Sequence, residues 1–175
     1  KSADIGVGMG ITGTDVTKNA ADMVLADDNF ATIVGAVEEG RRVYGNIRKA
    51  IQFLLGSNMS EVLSIFFATI LGFTILEPVH LLWINLVTDC FPALALGMEK
   101  AEPDVMRRRP RDAKAGIFAG GMGFDIAYQG LLVTLLIMVS YFVGHFIETG
   151  VWEITNSADG TTMAFLTMSM AEIFH

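Results

Sequence analysis

Three apolar stretches, each long enough to cross a lipid bilayer, limit what this chain can fold into more than any other feature. Ile51 to Leu76 runs 26 residues with one formal charge, Glu61; Pro78 to Met98 runs 21 with one, Asp89; Ile126 to Ile147 runs 22 with none. A helix rises about 1.5 Å per residue, so about 20 apolar residues cover a hydrocarbon core of roughly 30 Å. Thr161 to His175 reads as a fourth crossing of 15 residues. Because the chain stops inside it, the polypeptide is expected to be a piece of a larger membrane protein. With 52% apolar and 18% charged residues, the composition excludes a disordered chain. The expected fold is an all-α polytopic membrane helix bundle with a short α/β remnant of a cytoplasmic domain at the N-terminus. The competing reading is a soluble protein with three very apolar core helices.

Charge placement argues against that competitor. All twelve Lys and Arg fall in two places: Lys1, Lys18, Arg41, Arg42, Arg48 and Lys49 in the first 49 residues, and six more between Lys100 and Lys114. The linkers 73–77 and 148–160 contain none. Positive residues are retained on the cytoplasmic side, so the N-terminal portion and the loop 99–117 belong inside and the other two loops outside, a pattern consistent over four crossings. A net charge of −7 excludes a generally basic nucleic-acid binder. The run Arg107 to Arg111 is diluted by Glu99, Glu102, Asp104 and Asp112, and topology already accounts for it. A single cysteine, Cys90, rules out an intramolecular disulfide framework and a Cys-rich zinc module. No signal peptide is expected at Lys1 to Gly13, which is polar and Gly-rich with no continuous apolar run.

The first 50 residues have a different character. Ala3 to Met9 reads as a short strand, Thr12 to Asp15 as a turn, and Val16 to Val24 as an amphipathic helix started by Thr14 or Asp15. Gly8-x-Gly10-x-x-Gly13 formally matches a dinucleotide fingerprint, but no acidic residue ends a second strand about 20 residues later. Glycines permitting tight turns are the better reading. From Asp28 and Asn29 onward, Phe30, Ile33, Val34 and Val37 have helical period, which Tyr44, Ile47 and Ile51 resume. No proline interrupts residues 30 to 76, so one helix is expected to leave the cytoplasmic domain as a stalk and continue into the bilayer, with Gly40, Gly45 and Gly56 as weak points. The domain boundaries follow: residues 1–29, the end of a cytoplasmic domain; 30–50, the stalk; 51–175, the membrane domain, with spans at about 51–76, 78–98, 118–147 and 161–175.

Polar residues inside the spans carry the functional signal. Asn58 and Glu61 lie three apart on one helical face; Asn85, Thr88 and Asp89 occupy i, i+3 and i+4; Glu172 lies in the last crossing. A carboxylate at mid-bilayer costs about 2.5 to 3.5 kcal/mol, so three oppose insertion by roughly 8 to 10 kcal/mol. No Lys or Arg in these spans can pair with them, which leaves protons, water or a bound cation. Pro92 has no N–H and frees the carbonyl of Thr88. Carboxylates, amides, a hydroxyl and a free carbonyl make an all-oxygen shell that suits a hard cation such as Ca²⁺. Cys90 reads as packing, and His80 and His145 as interfacial. Interhelical hydrogen bonding would explain Asn58, Asn85 or Thr88 singly, but not three acids without a base.

The residues resemble a known family, the P-type ATPases, specifically calcium pumps of the sarco/endoplasmic-reticulum type and their bacterial relatives. "ADIGVGMGITGTDVTKNAADMVLADDNFATIVGAVEEGR" (Ala3 to Arg41) is similar to the end of that family's phosphorylation domain and the start of its stalk. "SNMSE" (Ser57 to Glu61) resembles its fifth transmembrane helix, "LLWINLVTDCFPALALGME" (Leu81 to Glu99) its sixth, and "MRRRPRD" (Met106 to Asp112) the following cytoplasmic loop. The resemblance implies that Asn58, Glu61, Asn85, Thr88, Asp89 and Glu172 coordinate calcium, with Asp89 bridging two ions. Ser60 and Cys90 stand where the family commonly has Gly. The family's "DKTGT" and "TGDGVND" motifs, which carry the phosphorylated and magnesium-binding aspartates, do not occur in the chain. No catalytic residue and no resident cofactor are therefore expected in it.

For the full-length parent the resemblance implies an ATP- and Mg²⁺-dependent aspartyl-phosphate cycle that exports cytosolic Ca²⁺, with proton countertransport by the emptied carboxylates. The implied partners are the lipid bilayer and the remaining domains of the pump. The implied place is a bacterial plasma membrane, multi-pass, with the N-terminus cytoplasmic. A sodium- or potassium-type pump on the same scaffold, or a secondary cation transporter, are the alternatives.

Overall fold

The computed structural model describes residues 2–112 and 114–174. Lys1, at the start of the N-terminal portion, and His175, the last residue of the fourth expected span, lie outside the described residues. The chain divides into two compact units, residues 1–44 with 100–109, and residues 45–99 with 110–175.

In the first unit, β1 (Val7–Met9) pairs in parallel with β2 (Met23–Leu25), Gly8 opposite Val24, across the short helix α1 (Asp15–Ala20). Thr14 caps α1, its Oγ1 accepting from the Thr17 amide at 3.3 Å. The sequence reading ran this helix to Val24; it stops at Ala20 because Met23, Val24 and Leu25 gain ladder bonds to β1. The glycine motif has a steric purpose. A Cβ on Gly10 would stand 2.5 Å from the Leu25 carbonyl oxygen, and one on Gly13 would stand 2.1 Å from that of Met9. Asp28 closes the turn from a left-handed backbone (φ 51°), accepting from the Ile11 amide at 2.8 Å and from the Thr12 amide and hydroxyl at 2.7 Å. Those donors, Ile11 first, hold its carboxyl below the usual carboxylate range. Arg41 donates to the carbonyls of Val105 and Arg108 at 2.8 and 3.0 Å, and Arg108 pairs with Glu102 and Asp104.

Helix α2 spans Thr32–Leu71, 40 residues without a break, about 60 Å at helical rise. It passes through Gly40, Gly45 and Gly56 unbroken.

In the second unit the next crossing is composite: α3 (Pro78–Trp83), a π-helical turn (Ile84–Asp89) and α4 (Cys90–Gly97). Then come α5 (Met122–Thr149) and α6 (Ala158–Phe174). Three continuous helical runs, Thr32–Leu71, Pro78–Gly97 and Met122–Thr149, are long and apolar enough to cross a membrane. The tightest packing joins α5 to α6. A Cβ on Gly144 would come within 2.8 Å of the Asp159 carbonyl oxygen, and one on Gly160 within 2.9 Å of that of Tyr141, so only glycine permits the approach. Ile84, Ile137, Tyr141, Ala164 and Met168 are fully buried at the centre of the core, with Phe73 stacked on Tyr141 at 4.5 Å. The Tyr141 hydroxyl donates to the Thr155 carbonyl and accepts from the Ser157 amide, fastening the 150–157 linker over that core. Outside it, large apolar side chains are exposed, among them Phe66, Leu86, Leu131 and Leu135. This inverts the pattern of a water-soluble domain and fits a lipid-facing bundle.

Candidate cation site

The polar residues of the spans gather through the inner face of α2. Ser57, Ser60, Glu61, Ser64 and Ala68 recur at three- and four-residue spacing and are all buried. Ser57 is the meeting point. Its Oγ lies 2.9 and 3.1 Å from the two carboxylate oxygens of Asp89 and 2.6 Å from Oε1 of Glu172. The two carboxyls are also within hydrogen-bonding reach of each other. A hydroxyl has one proton, so Ser57 donates to one carboxylate at a time, and the other short contact calls for a proton on that carboxyl or a cation beside it. Glu172 Oε2 has no donor among the described residues and borders a small cavity lined by Phe53, Gly56, Gln129 and Val133, where Gln129 Oε1 is likewise without one.

Glu61 sits one helical turn from Ser57. Both of its carboxylate oxygens accept from the Asn85 amide, at 2.9 and 3.0 Å, and the same amide donates to the Leu81 carbonyl. Asp89, Glu172 and Glu61 are 2%, 4% and 7% exposed, and none of the ion pairs among the described residues involves them. The groups facing them are an uncharged hydroxyl, an uncharged amide and one another.

The six residues singled out by sequence do not all converge. Thr88, Asp89, Glu61 and Glu172 are buried, and Asn85 reaches Glu61 although its residue is largely exposed. Asn58 is exposed, and its amide turns back to the Leu54 carbonyl of its own helix at 2.7 Å. Among the described residues no three His, Cys, Asp or Glu side chains form a closed metal cage; the acids come as one pair and one separate carboxylate. The π turn separates Asn85 from Asp89. Pro92 cannot offer an N–H to the Thr88 carbonyl, and the helix takes up the misfit by widening over Ile84–Asp89. A regular helix would have set Asn85, Thr88 and Asp89 on one face; the wide turn buries the last two and leaves the first on the rim.

One expectation outside the cluster changes. Cys90 is exposed and donates its S–H to the Asn85 carbonyl at 3.2 Å, instead of packing. His145 is 3% exposed and lies four residues before the end of α5. Sequence reasoning missed Ser57 entirely. The available signal was its place at the head of the small polar series Ser57, Ser60, Ser64.

Residues 73–175 match the family of the cation transporting ATPase C-terminus. The chain is 46% identical over its whole length to a calcium-transporting ATPase of Bacillus cereus, of which it covers 21%, and 46% identical over its whole length to one of Bacillus subtilis, of which it covers 19%. Over 92% of its length it is 42% identical to a sodium/potassium exporting P-type ATPase of Saccharomyces cerevisiae, of which it covers 15%. It thus spans about a fifth or less of these curated relatives. The apolar crossings, the buried acids on them and the match to the membrane-embedded C-terminal region make this chain a member of the cation-transporting P-type ATPases and an integral membrane polypeptide.

Proposed function

We propose that the chain supplies the stalk and ion-binding helices of an ATP-driven calcium pump that exports cytosolic Ca²⁺ through an aspartyl-phosphate cycle. Residues 1–29 are the end of the phosphorylation domain, 30–50 the stalk, and 51–175 the membrane domain. Ca²⁺ is cargo, coordinated by Asn58, Glu61, Asn85, Thr88, Asp89 and Glu172. ATP and Mg²⁺ act on parts of the parent that carry the "DKTGT" and "TGDGVND" motifs, and this polypeptide alone is catalytically inactive. The N-terminus is cytoplasmic, in a bacterial plasma membrane, and the other domains of the pump are its partners.

One observation carries this reading: three carboxylates are buried, Glu61 and Asp89 on helical runs long enough to cross a membrane and Glu172 on α6, with no cationic side chain paired to them among the described residues, and two of them share a single hydroxyl. Such a group of acids is tolerated in a low-dielectric medium when a cation or protons occupy it. Oxygen donors suit calcium. When the ion leaves, protons replace it, which is the basis of countertransport. Asp89→Asn in the full-length pump is expected to abolish calcium-dependent phosphorylation by ATP; undiminished phosphoenzyme at low calcium overturns the assignment. Likeness to the yeast sodium/potassium exporters, at 42% identity, favours a second reading with a monovalent cargo. Stimulation of ATPase activity by sodium or potassium with calcium chelated would establish that reading instead.

A further inference from the structure

Asn46 is 5% exposed on α2, and both protons of its side-chain amide are committed. Nδ2 carries two protons and donates to two main-chain carbonyls, that of Glu99 at 2.7 Å and that of Gly97 at 3.3 Å. Both lie at the C-terminal end of the composite crossing, where the last carbonyls of a helix lack intrahelical partners. One turn further along α2, Lys49 donates to the Glu99 side chain at 2.6 Å. This end of α4 is therefore capped by another helix.

The composite crossing is bonded to α2 at two levels. Ser57 with Asp89, and Asn85 with Glu61, join them in the cation site. Asn46 joins them about 16 Å away along α2, eleven residues before Ser57. These levels differ in chemistry. The contacts at Asp89 and Glu61 use the very oxygens that a cation would claim, so they must exchange partners whenever cargo enters or leaves. The Asn46 contacts use an uncharged amide and main-chain carbonyls, which neither cargo nor protons alter. One junction rearranges in each cycle; the other has no reason to.

We propose that Asn46 is a positioning residue for the transport reaction, the fixed pivot about which α2 and the Pro78–Gly97 crossing turn as the cation site opens and closes. The inference rests on the pump reading above. With the pivot in place, movement of α2 is converted into a change of spacing at Ser57 and Asp89. Without it the two helices slide, and the cation oxygens no longer meet in register.

The test uses the full-length pump in membranes, comparing Asn46→Asp, which keeps size and shape but removes both donors, with Asn46→Gln, which keeps the donors on a longer arm. Two quantities are read: the calcium concentration that half-activates phosphorylation by ATP, and phosphorylation by inorganic phosphate without calcium, which needs the intact cytoplasmic site but no cargo. Asn46→Asp is expected to raise the half-activating concentration tenfold or more and leave phosphorylation by phosphate near wild type, with Asn46→Gln recovering a large part of the shift. An Asn46→Asp pump with unchanged calcium activation overturns the pivot. So does one that loses both reactions together, since that marks a role in folding. If the wild-type pump responds to a cation other than calcium, the calcium reading fails, and the same comparison made with that cation still decides the pivot.

Discussion

A hydroxyl between two carboxylates is an unusual thing to bury, and at Ser57 the arrangement decides how the residues around it behave. Hydrogen bonds to charged groups contribute about 1.5 to 3 kcal/mol, and the Ser57 hydroxyl touches both Asp89 and Glu172. The small cavity beside it is lined mostly by apolar groups, Phe53, Gly56 and Val133 among them, so removing the hydroxyl leaves the two acids without this donor. Ser57→Ala in the full-length pump is therefore expected to weaken cation binding by roughly 10- to 100-fold while leaving the protein folded, as measured by calcium binding at equilibrium and by yield in detergent. Unchanged binding would show that the two acids are held apart without the serine. The acids themselves were legible in the sequence because each violates the composition of its span: Glu61 and Asp89 are the lone formal charges in theirs, and Glu172 closes the last. Ser57 carries no such mark, since serine is common in membrane helices and its place becomes meaningful only when three helices meet there. Asn58 is placed differently from Glu61. Its spacing to Glu61 suggested a shared face, yet three residues turn a helix by about 300°, and the remaining offset is enough to put Asn58 on the exposed side and Glu61 on the buried one.

Among the elements, long helices were readable and the wide turn was not. Apolar length, unbroken by proline, anticipated α2 and α5, and Thr14 marked the start of α1. Parallel pairing of Met23–Leu25 with Val7–Met9 overrode the helical pattern of Val16 to Val24, because tertiary ladder bonds outweigh local periodicity. Pro92 announced a local defect in the crossing, but a proline misfit can be relieved by a kink, a lost bond or a wide turn, and the residue alone does not choose. Here the wide turn sets Asp89 inward and leaves Asn85 to reach Glu61 from the rim. Restoring the missing N–H removes the reason for widening. Pro92→Ala is expected to return Ile84–Asp89 toward a regular helix, to stabilise the isolated crossing, and to lower cation affinity in the full-length pump by about tenfold or more, since Asp89 and Asn85 then move relative to α2. Calcium activation of phosphorylation measures the loss; an unaltered curve would mean that packing, and not the proline, sets the turn.

At the scale of the molecule, apolar length defines the crossings and charge placement predicts which way they run. Twelve cationic side chains lie either in the first 49 residues or between Lys100 and Lys114, while the linkers at 73–77 and 148–160 have none. Such a division is expected of a chain whose Lys- and Arg-rich segments stay on the cytoplasmic side during insertion. The exposed apolar faces, with Leu86 at 64% and Leu135 at 61%, do not carry this information: lipid and further helices of a pump cover such a face equally well, and this is why the sequence foretold crossings but not their neighbours. Orientation is open to direct measurement. In a full-length pump with Cys90→Ser as background, Thr155→Cys is expected to react with a membrane-impermeant maleimide on intact cells. Lys114→Cys is expected to react only after the membrane is opened. Both side chains are exposed in the structure, so neither result can be blamed on burial. The reverse pattern would place the loop bearing Arg107, Arg108 and Arg109 outside the cell, and with it the capped end of α4, leaving the cation site to open first toward the wrong compartment for export.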